Sequence, residues 1–205
     1  PTQVNYYSSQ GGTLISMTRY TYLNGRVQTI ATSDPNGQGG TGVGVEMYYD
    51  SHFNLIHART TTATAAGVIA AASINDIWVS FGYNNSDNPT WATTQYNPVN
   101  LSGPGSTPLA TDANLVAVRT DFTTDVYGRI LTSLSPVPAS GQSRLLTTAT
   151  YDAIGRMLTS IEPGTGSPAT RTMTTAYNSF GETRSIAMPD PDGAGQLLVP
   201  SVTYT

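Results

Sequence analysis

Ten aspartates, three glutamates, nine arginines and two histidines are the charged or readily titrating side chains of this 205-residue sequence. His52 and His57 stand five apart. An odd spacing on a strand sends two side chains to opposite faces, so the pair is not expected to hold a metal. No Gly-x-Ser-x-Gly segment or recognisable Ser-His-Asp setting accompanies either histidine. The carboxylates are spread thinly and fall mostly at turn-like places such as Asp50, Asp125 and Asp152, where an Asp oxygen accepts from backbone N–H groups; paired-acid glycoside chemistry is not indicated. The loops Asp34-Pro35-Asn36-Gly37 and Asp190-Pro191-Asp192-Gly193 carry a proline inside the series that calcium ligation would need. Gly39-Gly40-Thr41-Gly42-Val43-Gly44 lacks the Gly-Lys-Ser/Thr ending of a phosphate loop and precedes a strand, so it reads as a connector. No catalytic residue, metal or cofactor is assigned.

One stretch has a binding flavour. Trp78, Phe81, Tyr83, Trp91 and Tyr96 gather around Asn84, Asn85 and Asp87, and stacked aromatic rings beside amides and carboxylates are what a sugar site uses. Trp78, Tyr83, Trp91 and Tyr96 are therefore the candidate glycan-binding residues. The competing reading is that an irregular hairpin fills its core with them. Asn84 and Asn100 also stand in Asn-x-Ser acceptor sequences for N-glycosylation.

The elements that would position these residues show in the composition. Lysine and cysteine are absent, the net charge is −4, and 32 Thr and 19 Ser stand where surface charge is usual. Threonine favours strands and keeps an exposed sheet face wet without charge; with 20 Gly, 13 Pro and 12 Tyr the chain reads as all-β with many turns. An acidic, lysine-free surface disfavours nucleic-acid binding. Ala65 to Ala72, the longest weakly polar run, is too short to span a membrane. Without cysteine there is no disulfide framework. The opening Pro-Thr-Gln, with no initiator Met or secretory leader, reads as a processed or excised piece.

Internal repetition organises the rest. Tyr151-Asp152-Ala-Ile-Gly155-Arg156 and Tyr177-Asn178-Ser-Phe-Gly181-Glu182 are registered copies, and Thr124-Asp125-Val-Tyr-Gly128-Arg129 is a degenerate one. Tyr96-Asn97 to Leu101, Tyr49-Asp50 to Leu55 with Phe53 in the glycine slot, a shortened Tyr22-Leu23-Asn24-Gly25-Arg26 and an unfinished unit at Val202-Thr203-Tyr204 extend the series. The anchors are 22, 49, 96, 124, 151, 177 and 204, a period of about 27 residues, with the interval of 47 holding a unit that has lost its signature between Thr60 and Phe81. Pro108, Pro136, Pro163 and Pro189 each follow an anchor by twelve residues.

Each unit reads as a hairpin and a loop. Alternating residues precede the anchor, Asp or Asn bonds the turn, and Gly three residues later takes positive φ. Met157, Thr159 and Ile161 then share one face of a return strand before the proline breaks pairing. Hairpins of this size cannot stand alone, so the units are expected to join edge to edge into a continuous, twisted and curled antiparallel sheet spanning 1–205, irregular at about 60–95. Tyr22, Tyr49, Tyr96, Tyr151, Tyr177 and Tyr204, with Gly25, Gly128, Gly155 and Gly181 and with Arg129 and Arg156, are the expected structural anchors. A single-stranded β-helix is the rival architecture, but it does not need Asp/Asn-x-x-Gly in every unit.

Tyr-Asp-x-x-Gly-Arg, then a strand, then an Asp/Glu-Pro-x-Gly loop, a pattern that Tyr151 to Gly164 matches almost residue for residue, resembles the Rhs or YD-repeat family over about three quarters of the chain. The resemblance implies a spiralling sheet that closes into a hollow shell in long members. Rhs and insecticidal toxin-complex proteins enclose a toxic C-terminal polypeptide in one, and teneurins display a related one at cell surfaces. It therefore implies a non-catalytic scaffold, a segment of a larger shell or extracellular fibre. The expected partners are further repeats of the same or a larger chain, a homopolymer joined through end strands such as Val202 to Thr205, or a glycan, and the expected setting is extracellular or at a bacterial cell surface. Asp-Pro-x-Gly also resembles the core at which some Rhs proteins cleave themselves, but the longer arginine- and tyrosine-rich signature is missing, so the loop is expected to be ordinary.

Overall fold

The computed structural model describes residues 3–7, 14–33, 42–64, 66–101, 106–138, 142–164, 170–192 and 197–204. The loop at Asp34 to Gly37, the glycines at 39 and 40, and Ala65, Ser102 and Gly193 lie outside the described residues.

Strands make up nearly all of the regular structure. They are β1 (Gln3–Tyr7), β2 (Leu14–Leu23), β3 (Arg26–Ser33), β4 (Gly42–Tyr49), β5 (Leu55–Ala63), β6 (Ile77–Tyr83), β7 (Pro89–Thr93), β8 (Arg119–Thr124), β9 (Ile130–Leu134), β10 (Leu146–Tyr151), β11 (Met157–Pro163), β12 (Thr170–Tyr177), β13 (Thr183–Ala187) and β14 (Ser201–Thr203). One short helix, α1 (Ala113–Ala117), starts at Asp112, whose carboxylate accepts from the N–H groups of Asn114 and Leu115. Strand order is chain order, and the sheet is open rather than closed into a barrel. The expectation of an all-β antiparallel sheet built from successive hairpins holds. The chain divides into two compact units, Pro1–Asp87 with Ala92–Arg119, and Asn88–Trp91 with Thr120–Thr205.

The turns follow from their sequence. In β10–β11, Gly155 N–H donates to the Asp152 carbonyl and Asp152 N–H to the Arg156 carbonyl, while Asp152 Oδ1 accepts from the N–H groups of Ile154 and Arg156. Gly155 has φ +93°, and the register slips between Thr150 and Tyr151. This is a type I turn closed by a left-handed residue and a bulge. Asp125 with Gly128 and Asn178 with Gly181 repeat it. Asp50 does so with Phe53 at φ +65°, a strained conformation for a side chain of that size. The shortened unit uses a two-residue turn, Asn24 and Gly25, with φ of +49° and +80°.

Threonine has a place in this repetition. Thr21 faces Thr29, Thr123 faces Thr132 and Thr150 faces Thr159, each pair joined through the hydroxyls at 2.6–2.7 Å. Each pair ties the two strands of its own hairpin just before the anchor position.

The first unit has an interior: Met17, Ala31, Ala63, Trp78, Tyr96 and Leu115 are buried, with His57, Arg59, Asp76 and Ser80 among them. In the second unit no described side chain is buried to that degree, and Val126, Tyr127, Ile154 and Phe180 at its turns are 75–89% exposed. It is a single-layered sheet.

Candidate functional site

In the second unit arginine joins two of the turns to the hairpin that follows. Arg129 holds Asp125 Oδ2 through Nε and Nη2, both at 2.6 Å, and its Nη1 donates to the Asp152 carbonyl at 3.2 Å. Its guanidinium carbon lies 5.0 Å from the centre of the Tyr151 ring. Tyr151 completes the contact by donating its hydroxyl to the Ile130 carbonyl, back on the preceding hairpin. One repeat later Arg156 binds Asp152 Oδ2 at 2.6 Å and covers Tyr177 at 4.3 Å, while the Tyr177 hydroxyl donates to the Met157 carbonyl. A guanidinium has five N–H donors and a flat face, so one side chain can serve a carboxylate, a carbonyl and an aromatic ring together. Burial pushes the Asp125 and Asp152 carboxyls up, but the N–H groups and guanidiniums facing them outweigh it and hold both below the ordinary carboxylate range.

The first unit varies the theme. Arg26 lies over Tyr49 and Phe53, at 5.7 and 5.3 Å, and the Tyr49 hydroxyl donates to the Val27 carbonyl. Tyr83 donates to the Leu55 carbonyl. Asp87, with φ +59°, accepts from Asn54 Nδ2 and pairs with His52, so a carboxylate joins two successive turns where arginine does so elsewhere.

Tyr83 rather than Tyr96 therefore sits at the hairpin turn. Tyr83-Asn84-x-x-Asp87 supplies the anchor, the Asn side chain that accepts from Ser86 N–H, and the left-handed residue. That signal stood in the sequence; its distance of 34 residues from Tyr49 hid it. Tyr96, expected to open a hairpin, instead forms a two-bond backbone bridge with Trp78, and Asn97 donates to the Asp76 carbonyl. Pro108, on schedule in the sequence, is bridged to Leu101. Thr124 holds an anchor place without the ring. Tyr22 lies beside the two-residue turn, 45% exposed, and Tyr204 beyond β14 is 53% exposed. Glu182 fills the arginine slot before Tyr204 and accepts from Asn178 Nδ2.

The aromatic stretch does not form an open platform. Trp78 is fully buried and Tyr96 is 6% exposed, while Tyr83 and Trp91 are half-buried. Trp78 stacks on Tyr48, their ring centres 5.7 Å apart. Beside it lies a buried ionic cluster that nothing in the sequence marks out. Arg59 pairs with Asp76 at 2.6 Å and with Glu46 at 2.7 Å, and donates to the Ala70 carbonyl. Burial lowers the Arg59 pKa, but Glu46 and Asp76 more than reverse this and raise it. Burial, then the bond to Glu46, pushes the Tyr48 phenol up to about 12. His57 Nδ1 lies 2.7 Å from Ser80 Oγ, which lies 2.7 Å from the Tyr96 hydroxyl. Ser80 is fully buried, so this His–Ser pair has no substrate access. Among the described residues, no cluster of three metal-ligating side chains is found, and no helix is long and apolar enough to cross a membrane.

No protein-family model and no curated protein matches the chain. Solved structures do resemble it. One is the Tc holotoxin pore of Photorhabdus luminescens in a TccC3-mutant form, with a TM-score of 0.37 at 10% identity over 95% of this chain. Another is TcdB2-TccC3 without its hypervariable C-terminal region, with a TM-score of 0.33 at 14% identity over 99% of this chain. The chain spans 12% of the length of each of these solved chains.

Proposed function

We propose that this chain is a non-catalytic wall segment of a Rhs-type repeat shell or extracellular fibre, built to be continued by further hairpins. The observation that carries the reading is the second unit: a single-layered sheet with no fully buried side chain among its described residues, whose hairpins are fastened by a recurring Asp–Arg–Tyr contact. A sheet that buries so little on itself gains stability by propagation along its ladder rather than from a globular core. The arginines and aspartates at its turns are occupied in fastening, which supports structure over catalysis. The partners are other repeats of the same or a larger chain, or further copies added at the edges of β1 and β14, which carry no charge to repel an added strand. An extracellular or cell-surface setting goes with this role. A glycan platform at Trp78 and Tyr96 is not favoured, because neither ring offers a face to a ligand.

Electron cryomicroscopy of the intact protein that carries this sequence tests the reading. The expected result is further hairpins paired with these in the same register, with the sheet forming the wall. Finding the segment packed as a free-standing domain, both sheet faces covered by unrelated elements, would overturn it.

A further inference from the structure

We propose that the buried chain His57–Ser80–Tyr96 is an acid-sensitive latch that holds the β5–β6 junction closed at neutral pH and releases it when His57 is protonated. His57 and Ser80 face each other across that junction, which has only four paired positions, His57 to Thr60 against Ser80 to Ile77. Tyr96 reaches the same serine from the far side of the Trp78 bridge. The latch thus ties together two strands and the segment after β7.

Hydrogen-bond accounting gives the switch its direction. A neutral imidazole can accept at Nδ1, so the Ser80 hydroxyl donates to it and the Tyr96 hydroxyl donates to Ser80; each hydroxyl proton has an acceptor. An imidazolium cannot accept. Its Nδ1–H must donate to Ser80, which must then donate to Tyr96, and the Tyr96 proton loses Ser80 as its acceptor. The Trp78 indole N–H in the same interior is likewise buried with no hydrogen-bond partner among the described residues.

The charged groups nearby do not offset this. From β4, Tyr48 meets the imidazole edge-on at 6.4 Å, with its hydroxyl committed to Glu46. Glu46 and Asp76 are both engaged by Arg59, itself a cation on the same strand as His57. β6 contributes Ser80 and the edge-on ring of Trp78. Asp112 acts on Tyr96, whose phenol burial pushes up to about 12, and caps α1. Burial alone lowers the His57 pKa to about 4. The folded state therefore takes up this proton less readily than the unfolded chain. The contribution of the latch is complete above pH 6.5 and is withdrawn as pH falls toward 4.

Hydrogen exchange of the whole chain at pH 7.5 and 4.5, corrected for intrinsic rates, tests this. In the wild type, protection at 55–60 and 77–83 is expected to fall by about tenfold or more. His57→Gln, which retains every carboxylate, is expected to show no such fall. An acid loss of equal size in His57→Gln would overturn the proposal. Should that variant not fold, the wild-type histidine resonances decide. His57 is expected to protonate only together with movement of the Ser80 and Tyr96 signals. Protonation near pH 6.5 with those signals unmoved would contradict the latch.

Discussion

The guanidinium carbon of Arg156 lies 4.3 Å from the ring centre of Tyr177, a residue of the next hairpin, while Arg156 Nε holds Asp152 of its own turn at 2.6 Å. The Tyr177 hydroxyl answers by donating to the carbonyl of Met157, the residue following Arg156. Two side chains thus fasten neighbouring repeats at two points. The same relation between Arg129 and Tyr151 makes the fastening a property of the repeat.

The glycines of the turns should differ in sensitivity. Gly25 and Gly181 both have positive φ, so an alanine at either costs about 1–2 kcal/mol in backbone strain. A Cβ at Gly25 meets nothing within 4 Å, whereas one at Gly181 sits 3.2 Å from Arg156 Nη1, which must give by a few tenths of an ångström. Thermal unfolding should therefore show a larger loss for Gly181→Ala than for Gly25→Ala, with the excess removed in an Arg156→Ala background.

The last junction can be given the missing contact. Glu182 stands in the arginine slot before Tyr204. Changing Asn178→Asp and Glu182→Arg together supplies a carboxylate and a guanidinium at the spacing of Asp152 and Arg156. The expected gain is about 0.5–1 kcal/mol, read as slower amide exchange at residues 201–204 than in the wild type.

Removing one partner from the buried ionic cluster should be costly. Arg59 is 3% exposed and Asp76 is 9% exposed at the side chain. Asp76→Ala leaves the guanidinium short of a counter-charge and should lower stability by about 3 kcal/mol or more. Arg59→Met, with Glu46→Gln and Asp76→Asn, removes all three charges together and should cost less than the sum of the single changes in denaturant unfolding.

His52 and His57 should bring opposite pH dependences. The hydrogen bond to Asp87, then its charge, raises the His52 pKa above the ordinary histidine value. The His52 contribution is therefore full below pH 6.5 and fades as pH rises through the folded value. His52→Gln should accordingly lower stability at pH 5.5 and have a smaller effect at pH 8.5, measured by chemical denaturation at each pH.

Much of the fold was legible in the sequence because a turn is a local object. Asp or Asn, two spacers and Gly carry their own hydrogen bonds and backbone angles, so Asp125, Asp152 and Asn178 marked their hairpins without tertiary information. The Tyr83 turn was harder to see, since an aspartate replaces its glycine and the interval before it is stretched. Tyr96-Asn97 copied the motif, yet the Trp78 bridge and the bonds from Asn97 to the 75–76 carbonyls captured it. The cluster around Arg59 was invisible for a different reason. Its partners come from positions 46, 70 and 76, and only sheet pairing and the following loop bring them together.

The most direct measurement is hydrogen exchange across the second unit in an Arg129→Ala, Arg156→Ala double variant. If arginine fastens each hairpin to the next, protection should fall at β10 to β13 together, well beyond the two substituted turns, and Tyr151→Phe with Tyr177→Phe should reproduce part of the loss. Loss of protection confined to the residues beside positions 129 and 156, with β12 and β13 as slow as in the wild type, would contradict the account.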